Sequence, residues 1–222
     1  MPPAIGRPGL VSTRMSEPLA AFIKLHIARD RLIDWLARTV LPASRWGDWR
    51  EIGGQYYFTG GVRDIADVPA AELARSVDEA DGELRRYATY RDGLGAILGS
   101  AEEPYMHRLQ WRAEASELVA GSLTYSENLT DYLVFYAIAR GVEAVLGPDD
   151  RGIAVLHNYL WGSPGDRVAH SALRMGPGAT SSFLAPADVT SAGGIVEAIG
   201  LEMIPPDASQ PPAPIDDLDQ LQ

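Results

Sequence analysis

The stretch S16-E-P-L-A-A-F-I-K-L-H-I-A-R-D-R-L-I-D-W-L-A-R-T-V40 decides how the first part of the chain is interpreted. Ser16 is a favourable helix N-cap, and Pro18 is tolerated in a first helical turn. Apolar residues then recur at intervals of three and four from Leu19 to Val40, which is the spacing of one helical face. We therefore predict a long amphipathic helix that ends near Pro42.

Two polar residues of this predicted helix, His26 and Asp30, are four positions apart and would share one face. A helical histidine with a carboxylate one turn away is more often a structural hydrogen bond or ion pair than a ligand pair. We therefore keep them only as auxiliary residues for a histidine-based site.

The next segment, residues 44–62, combines two tryptophans with two Gly-Gly pairs, and we predict a loop followed by a short strand from Gln55 to Thr59. Its aromatic residues are candidates for a ligand-stacking platform, although aromatic clusters beside glycines more often pack over a core edge. The candidates are Trp46, Trp49, Tyr56 and Tyr57. A second helix is then predicted, capped by Asp67 and closed by the glycines at 93, 95 and 99.

From about residue 105 the hydrophobic period changes to two, which is typical of strands. Strands are predicted at 105–114 and 118–125, followed by a helix around 129–139 that is apolar on nearly all sides and therefore buried. A strand at 180–184, a helix at 186–199 and a short strand at 201–204 follow. The predicted fold class is α+β, with long N-terminal helices followed by an antiparallel sheet with packed helices.

The segment H157-N-Y-L-W-G-S-P-G-D-R-V-A-H170 is predicted to be a hairpin with its turn at residues 163–166. In that register one face carries two histidines as diagonal neighbours. Its candidate catalytic residues are His157, Tyr159 and His170. No carboxylate shares the face, so we predict no metal site and favour a packing or partner surface.

Residue usage excludes several enzyme classes. The chain has no cysteine, which excludes thiolate nucleophiles and cysteine-based metal sites. Lys24 is its single lysine, and it fits no phosphate-binding loop, Schiff-base site or S-x-x-K motif. G-x-S-x-G, H-E-x-x-H and G-x-G-x-x-G are also absent. We expect no cofactor and favour a function without catalysis.

Charge is distributed unevenly along the chain. Residues 1–111 carry fourteen basic and fifteen acidic residues, whereas residues 112–222 carry five basic and fifteen acidic ones. An excess of carboxylates repels phosphate backbones, so we expect no nucleic-acid partner. A basic protein, or further copies of this chain, is the expected partner.

The predicted organisation has four parts. Residues 1–15 form a flexible arm, 16–100 a helical region, 101–204 the sheet region of the same domain, and 205–222 a disordered acidic, Pro-rich tail. The tail offers a candidate partner-binding motif, formed by Asp216, Asp217, Leu218, Asp219 and Leu221. No segment resembles a secretory signal or a membrane span, so we expect a cytoplasmic location or one inside a larger intracellular or viral assembly.

Three functional hypotheses follow. The first is a non-enzymatic protein-binding or assembly component, such as a neutraliser of a basic toxin or a structural subunit of a particle. The second is a hydrolase or histidine–metal enzyme that uses the 157–170 hairpin face. The third is a small-ligand binding protein that uses the aromatic residues of 46–57.

Overall fold

A computed structural model describes residues 18–58, 61–99, 106–158, 167–178 and 180–203. The predicted arm at 1–15, the turn at 163–166 and the tail at 205–222 lie outside these residues. The helices and strands, in chain order, are β1 (Leu19–His26), α1 (Arg29–Ala37), β2 (Gln55–Phe58), β3 (Gly61–Asp64), α2 (Ala70–Leu84), α3 (Tyr90–Leu98), β4 (His107–Arg112), β5 (Glu117–Ser126), α4 (Leu129–Arg140), β6 (Arg151–His157), β7 (Ala169–Gly176), β8 (Thr180–Phe183) and α5 (Pro186–Met203).

A six-stranded antiparallel sheet organises the chain, with strand order β4-β5-β1-β6-β7-β8. Strands β2 and β3 form a separate hairpin. Helices α3 and α4 pack directly on one face of the sheet, α1 contacts α3, and α2 packs on α4. Helix α5 covers part of the opposite face. The α+β class and the antiparallel sheet are therefore confirmed.

The prediction that long helices come first is wrong, because the chain enters the sheet at β1 before it forms any helix. Strand β1 pairs with β5 along one edge and with β6 along the other. Both of its faces are buried: Ala21, Ile23 and Leu25 face one layer, and Ala20 and Phe22 face the other. A strand buried on both faces has a nearly continuous apolar sequence, which helical spacing fits equally well.

The predicted second helix is two helices, α2 and α3. Asp67 lies in a short 3-10 turn before α2 rather than capping it. Helix α3 begins at a capping box, in which the Thr89 hydroxyl accepts from the Asp92 backbone and the Asp92 carboxylate accepts from the Thr89 backbone. Gly93 lies inside α3 instead of closing a helix, and a Cβ at this position would lie 2.9 Å from Ile138 Cδ1 of α4.

Several predictions for the second half are confirmed, with shifted limits. Strands β4 and β5 pair with each other, and from Tyr132 to Arg140 every residue of α4 is buried. Helix α5 continues to Met203, so the predicted strand at 201–204 is wrong. None of the helices in the described residues is long and apolar enough to span a membrane.

The predicted register of the β6–β7 hairpin is also wrong. Val155 pairs with Ala172, and a register shift after Leu156 leaves His170 without a partner in the ladder, as in a β-bulge. The shift turns His170 towards α4, whereas His157 faces α5. The two histidines therefore lie on opposite faces of the sheet.

Candidate functional site

Helix α5 covers only the apolar part of its face of the sheet. The strand residues beneath it are small or apolar, and they contact a matching apolar stripe of the helix. The buried set is Ala20, Phe22, Val119, Leu123, Val155, Ala172, Ala192, Val196, Ile199 and Met203. This burial fixes α5 along one half of the face and leaves the other half open.

The open half of this face carries polar side chains at alternating strand positions. Residues two positions apart on a strand share a face. Lys24 and His26 follow Phe22 on β1, Glu117 lies opposite His26 on β5, Arg151 lies opposite His26 on β6, and Arg174 lies on β7. These strands and the first turns of α5 enclose a cavity of about 500 Å³, which we call the α5 groove. Its other lining residues are Gly152, Ile153, Leu184, Asp188, Ser191, Ala192 and Ile195.

Ion pairs neutralise one side of the α5 groove. Glu117 contacts the Lys24 ammonium at 3.0 Å and the Arg112 guanidinium at 3.4 Å. Arg112 also contacts Glu202 of α5, which in turn accepts from Arg108 at 3.0 Å. Burial lowers the pKa of Arg108, while Glu202 acts against that shift. These contacts tie the last turn of α5 to β4.

The other side of the groove holds two guanidinium groups without carboxylate partners. Arg174 lies opposite Ile153, two residues along from Arg151, so the two arginines are diagonal neighbours on one face. Diagonal positions of this kind are about 7–8 Å apart. Both side chains are exposed, and neither forms an ion pair within the described part of the chain; Arg151 contacts only the Asp149 carbonyl, at 3.5 Å. Two adjacent unpaired cations favour an anionic ligand.

Asp188 is the one carboxylate without an ion pair among the described residues that line the groove. It lies in the first turn of α5, where a negative charge interacts favourably with the helix dipole. The groove therefore carries an excess of unpaired positive charge. Leu184 and Ile195 add an apolar wall, and the Ile195 side chain is 40% exposed.

Ion pairs between the two halves of the chain neutralise part of the charge asymmetry along the sequence. Among the described residues, four ion pairs join the two halves of the chain. They are Lys24–Glu117, Arg31–Asp150, Arg108–Glu202 and Arg140–Asp48. Three of these pairs join a cation of the first half to a carboxylate of the second, and Arg140–Asp48 is the reverse.

The structure separates His26 from Asp30. His26 ends β1 and lines the α5 groove, where its Nδ1 lies 3.1 Å from the Ala115 carbonyl oxygen. Asp30 lies in the first turn of α1. The prediction that they share a helical face is wrong, since the chain changes from strand to helix between them.

His170 belongs to a buried aromatic cluster that holds the β2–β3 hairpin against the sheet. Its Nε2 lies 2.8 Å from the Tyr56 hydroxyl, and both rings contact Tyr132. Gly54, with a φ of +87°, lies so close to His170 that a Cβ on this glycine would be 2.7 Å from the His170 Nε2. Burial lowers the pKa of His170 and raises that of Tyr56. A neutral, enclosed imidazole with a phenol partner anchors the hairpin.

His157 is buried under α5, where a Cβ on Gly193 would lie 3.4 Å from its Nε2. Burial lowers its pKa as well. Tyr159 lies outside the described residues, as does the motif formed by Asp216, Asp217, Leu218, Asp219 and Leu221. The two histidines therefore do not share the hairpin face that was predicted from the sequence.

The four aromatic candidates do not form one platform. Trp46 and Trp49 pack against the buried guanidinium of Arg140, 5.5 and 5.0 Å from the ring centroids, and Phe183 completes the enclosure at 4.9 Å. Tyr56 is in the His170 cluster, and Tyr57 is 67% exposed on the hairpin. The cation that the tryptophans stack on is thus a side chain of this protein.

Sequence reasoning missed the α5 groove because 16–40 was interpreted as one helix. The available signal was the change from apolar to polar at alternating positions near strand ends: Phe22 to Lys24 and His26, and Ala172 to Arg174.

Among the described residues, no group of three or more His, Asp or Glu side chains is placed to hold a metal ion. Comparison of the chain with protein-family models, with curated proteins and with solved structures found no match.

Proposed function

We propose that this protein is a binding module that holds an acidic segment of a partner protein in the α5 groove. The observation that carries the proposal is the pair Arg151 and Arg174, two exposed and adjacent guanidinium groups without carboxylate partners in the described part of the chain. A carboxylate bound beside the two guanidinium groups accepts charge-assisted hydrogen bonds from them.

The rest of the groove suits a peptide. Guanidinium groups bind carboxylates through paired N–H···O bonds, which adds geometric selection to charge. Leu184 and Ile195 offer apolar contact on the α5 side, so a segment that alternates acidic and apolar residues would satisfy both walls. The cavity of about 500 Å³ is large enough for several side chains.

This proposal keeps the protein-binding hypothesis and changes the charge of the expected partner. The sequence suggested a basic partner because its second half is acidic, but the ion pairs across the sheet neutralise part of that charge. A role within a larger assembly, in the cytoplasm or in a virus particle, is compatible with a groove that captures a segment of another subunit.

Fluorescence polarisation with a labelled synthetic peptide of alternating aspartate and leucine tests the proposal. An exposed pair of opposite charges contributes up to about 1 kcal/mol, so losing two such pairs and adding repulsion in the double variant Arg151→Glu/Arg174→Glu should weaken binding at least about tenfold. Arg75→Glu is the matched control, because Arg75 is exposed on α2, on the other side of the sheet.

Three results would contradict the proposal. The first is equal binding of the peptide to the double variant and to the unmodified protein. The second is equally tight binding of an otherwise identical peptide with asparagine in place of aspartate. The third is displacement of the labelled peptide by inorganic phosphate at equal concentration, which would identify a small anion as the ligand.

A further inference from the structure

Helix α5 directs the chain away from the groove that its own first turns help to form. Asp188 and Ile195 line the groove, whereas Met203 is at the far end of the helix, tied to β4 through Glu202. At 1.5 Å per residue, about 22 Å of helix separates Asp188 from Met203. Any segment after Met203 must cover roughly this distance to reach the groove.

The sequence that follows α5 has sufficient reach. Residues 204–214 contain five prolines, and a Pro-rich segment extends about 3.1 Å per residue. Eleven residues therefore span up to about 34 Å, which exceeds the distance back along α5. A segment that begins near residue 215 can lie beside Arg151 and Arg174.

That segment, I215-D-D-L-D-Q-L221, matches the groove in chemistry. Its three aspartates complement the two unpaired guanidinium groups, and its isoleucine and two leucines complement the wall formed by Leu184 and Ile195. No basic residue follows Arg174, so nothing in the segment opposes the positive side of the groove.

We propose that residues 215–221 of the same chain occupy the α5 groove and must leave before a partner segment binds. This inference rests on the proposed function, since it names an internal competitor for the same site. A tethered segment has an effective concentration of about millimolar, so even a weak fit keeps the groove occupied. A partner must therefore bind more tightly than the tethered segment.

Disulfide trapping in the full chain tests the inference, because the protein has no cysteine of its own. One cysteine is placed in the groove by Ser191→Cys and the second in the segment by Gln220→Cys. The matched control replaces Ser191→Cys with Ala74→Cys, an exposed position on α2 on the other side of the sheet. Mild oxidation should form the intramolecular Ser191→Cys/Gln220→Cys disulfide at least about tenfold faster than the control disulfide.

Adding Arg151→Glu and Arg174→Glu should reduce the trapping rate to that of the control. Equal rates for the two cysteine pairs would overturn the inference, and so would a disulfide that forms only between two molecules. The triple variant Asp216→Asn/Asp217→Asn/Asp219→Asn separates the two proposals. It should bind the acidic peptide several-fold more tightly than the unmodified chain.

If trapping fails while peptide binding still depends on Arg151 and Arg174, only the internal competitor is wrong. If the triple variant does not bind the peptide, the proposed function itself is wrong, whatever the trapping rate.

Discussion

Arg140 offers a direct test of whether the tryptophans of residues 46–49 stabilise the fold rather than bind a ligand. Its side chain is fully buried, donates to both Asp48 carboxylate oxygens at 2.5 and 2.6 Å, and lies against three aromatic rings. The substitution Arg140→Met keeps an unbranched apolar stem but removes the guanidinium group and its charge.

The expected loss of stability depends on the Asp48 carboxylate, which the substitution leaves without its cation. Removing one partner of a buried ion pair costs about 3–5 kcal/mol, because the other charge is left without compensation. The Asp48 side chain is 30% exposed, so water recovers part of this, while the lost cation–π contacts add to the cost. We expect Arg140→Met to lower the free energy of unfolding by about 3 kcal/mol.

Urea unfolding followed by tryptophan fluorescence measures this value, with Arg38→Met as the matched control. Arg38 forms the same kind of pair with Asp34, but both side chains are exposed, and such pairs contribute under about 0.5 kcal/mol. The double variant Arg140→Met/Asp48→Asn should recover part of the loss, because no uncompensated charge remains. A cost for Arg140→Met that equals the control's would refute the reasoning.

Two further predictions concern packing and pH. Gly121→Ala should lower the free energy of unfolding by about 1–3 kcal/mol, because its Cβ would lie 2.4 Å from Phe22 Cδ1, whereas Gly194→Ala, with nothing within 4 Å, should not destabilise the protein. Burial lowers the pKa of His157 and of His170 below the ordinary 6.5, so the unfolded chain takes up protons first as the pH falls. Stability should therefore be fully present above pH 6.5 and decrease as the pH falls through the window below it. The double variant His157→Gln/His170→Gln should show a smaller difference in urea midpoint between about pH 7.5 and about pH 5.5, and an unchanged difference would rule out both histidines as the cause.

The local sequence pattern predicted a strand or helix correctly where its apolar and polar residues follow one clear pattern. The alternation in 105–114 predicted β4, and the apolar composition of 129–139 predicted that α4 is buried on nearly all sides. It was insufficient at β1, where both faces are buried and the periodicity no longer separates strand from helix. Only the pairing of β1 with β5 and β6, distant in sequence, selects the extended form.

The placement of the candidate site residues could not be predicted from the sequence, for related reasons. A one-residue register shift after Leu156 reverses the face of His170 relative to His157, and periodicity alone gives no sign of such a shift. The α5 groove depends on residues from four strands and one helix, and its polar rows become visible only once the order of strands is known. Arg140 and Asp48 are 92 positions apart, so no local motif links the buried cation to the tryptophans.

The most direct measurement is an amide chemical-shift map of the protein during titration with the unlabelled acidic peptide. Binding in the α5 groove predicts that the largest changes fall on Arg151–Ile153, on Arg174 and on the first turns of α5 from Asp188 to Ile195. Changes that cluster instead on the exposed pair Tyr57 and Val62 of the β2–β3 hairpin, or no changes at all, would contradict the assignment of the groove as the binding site.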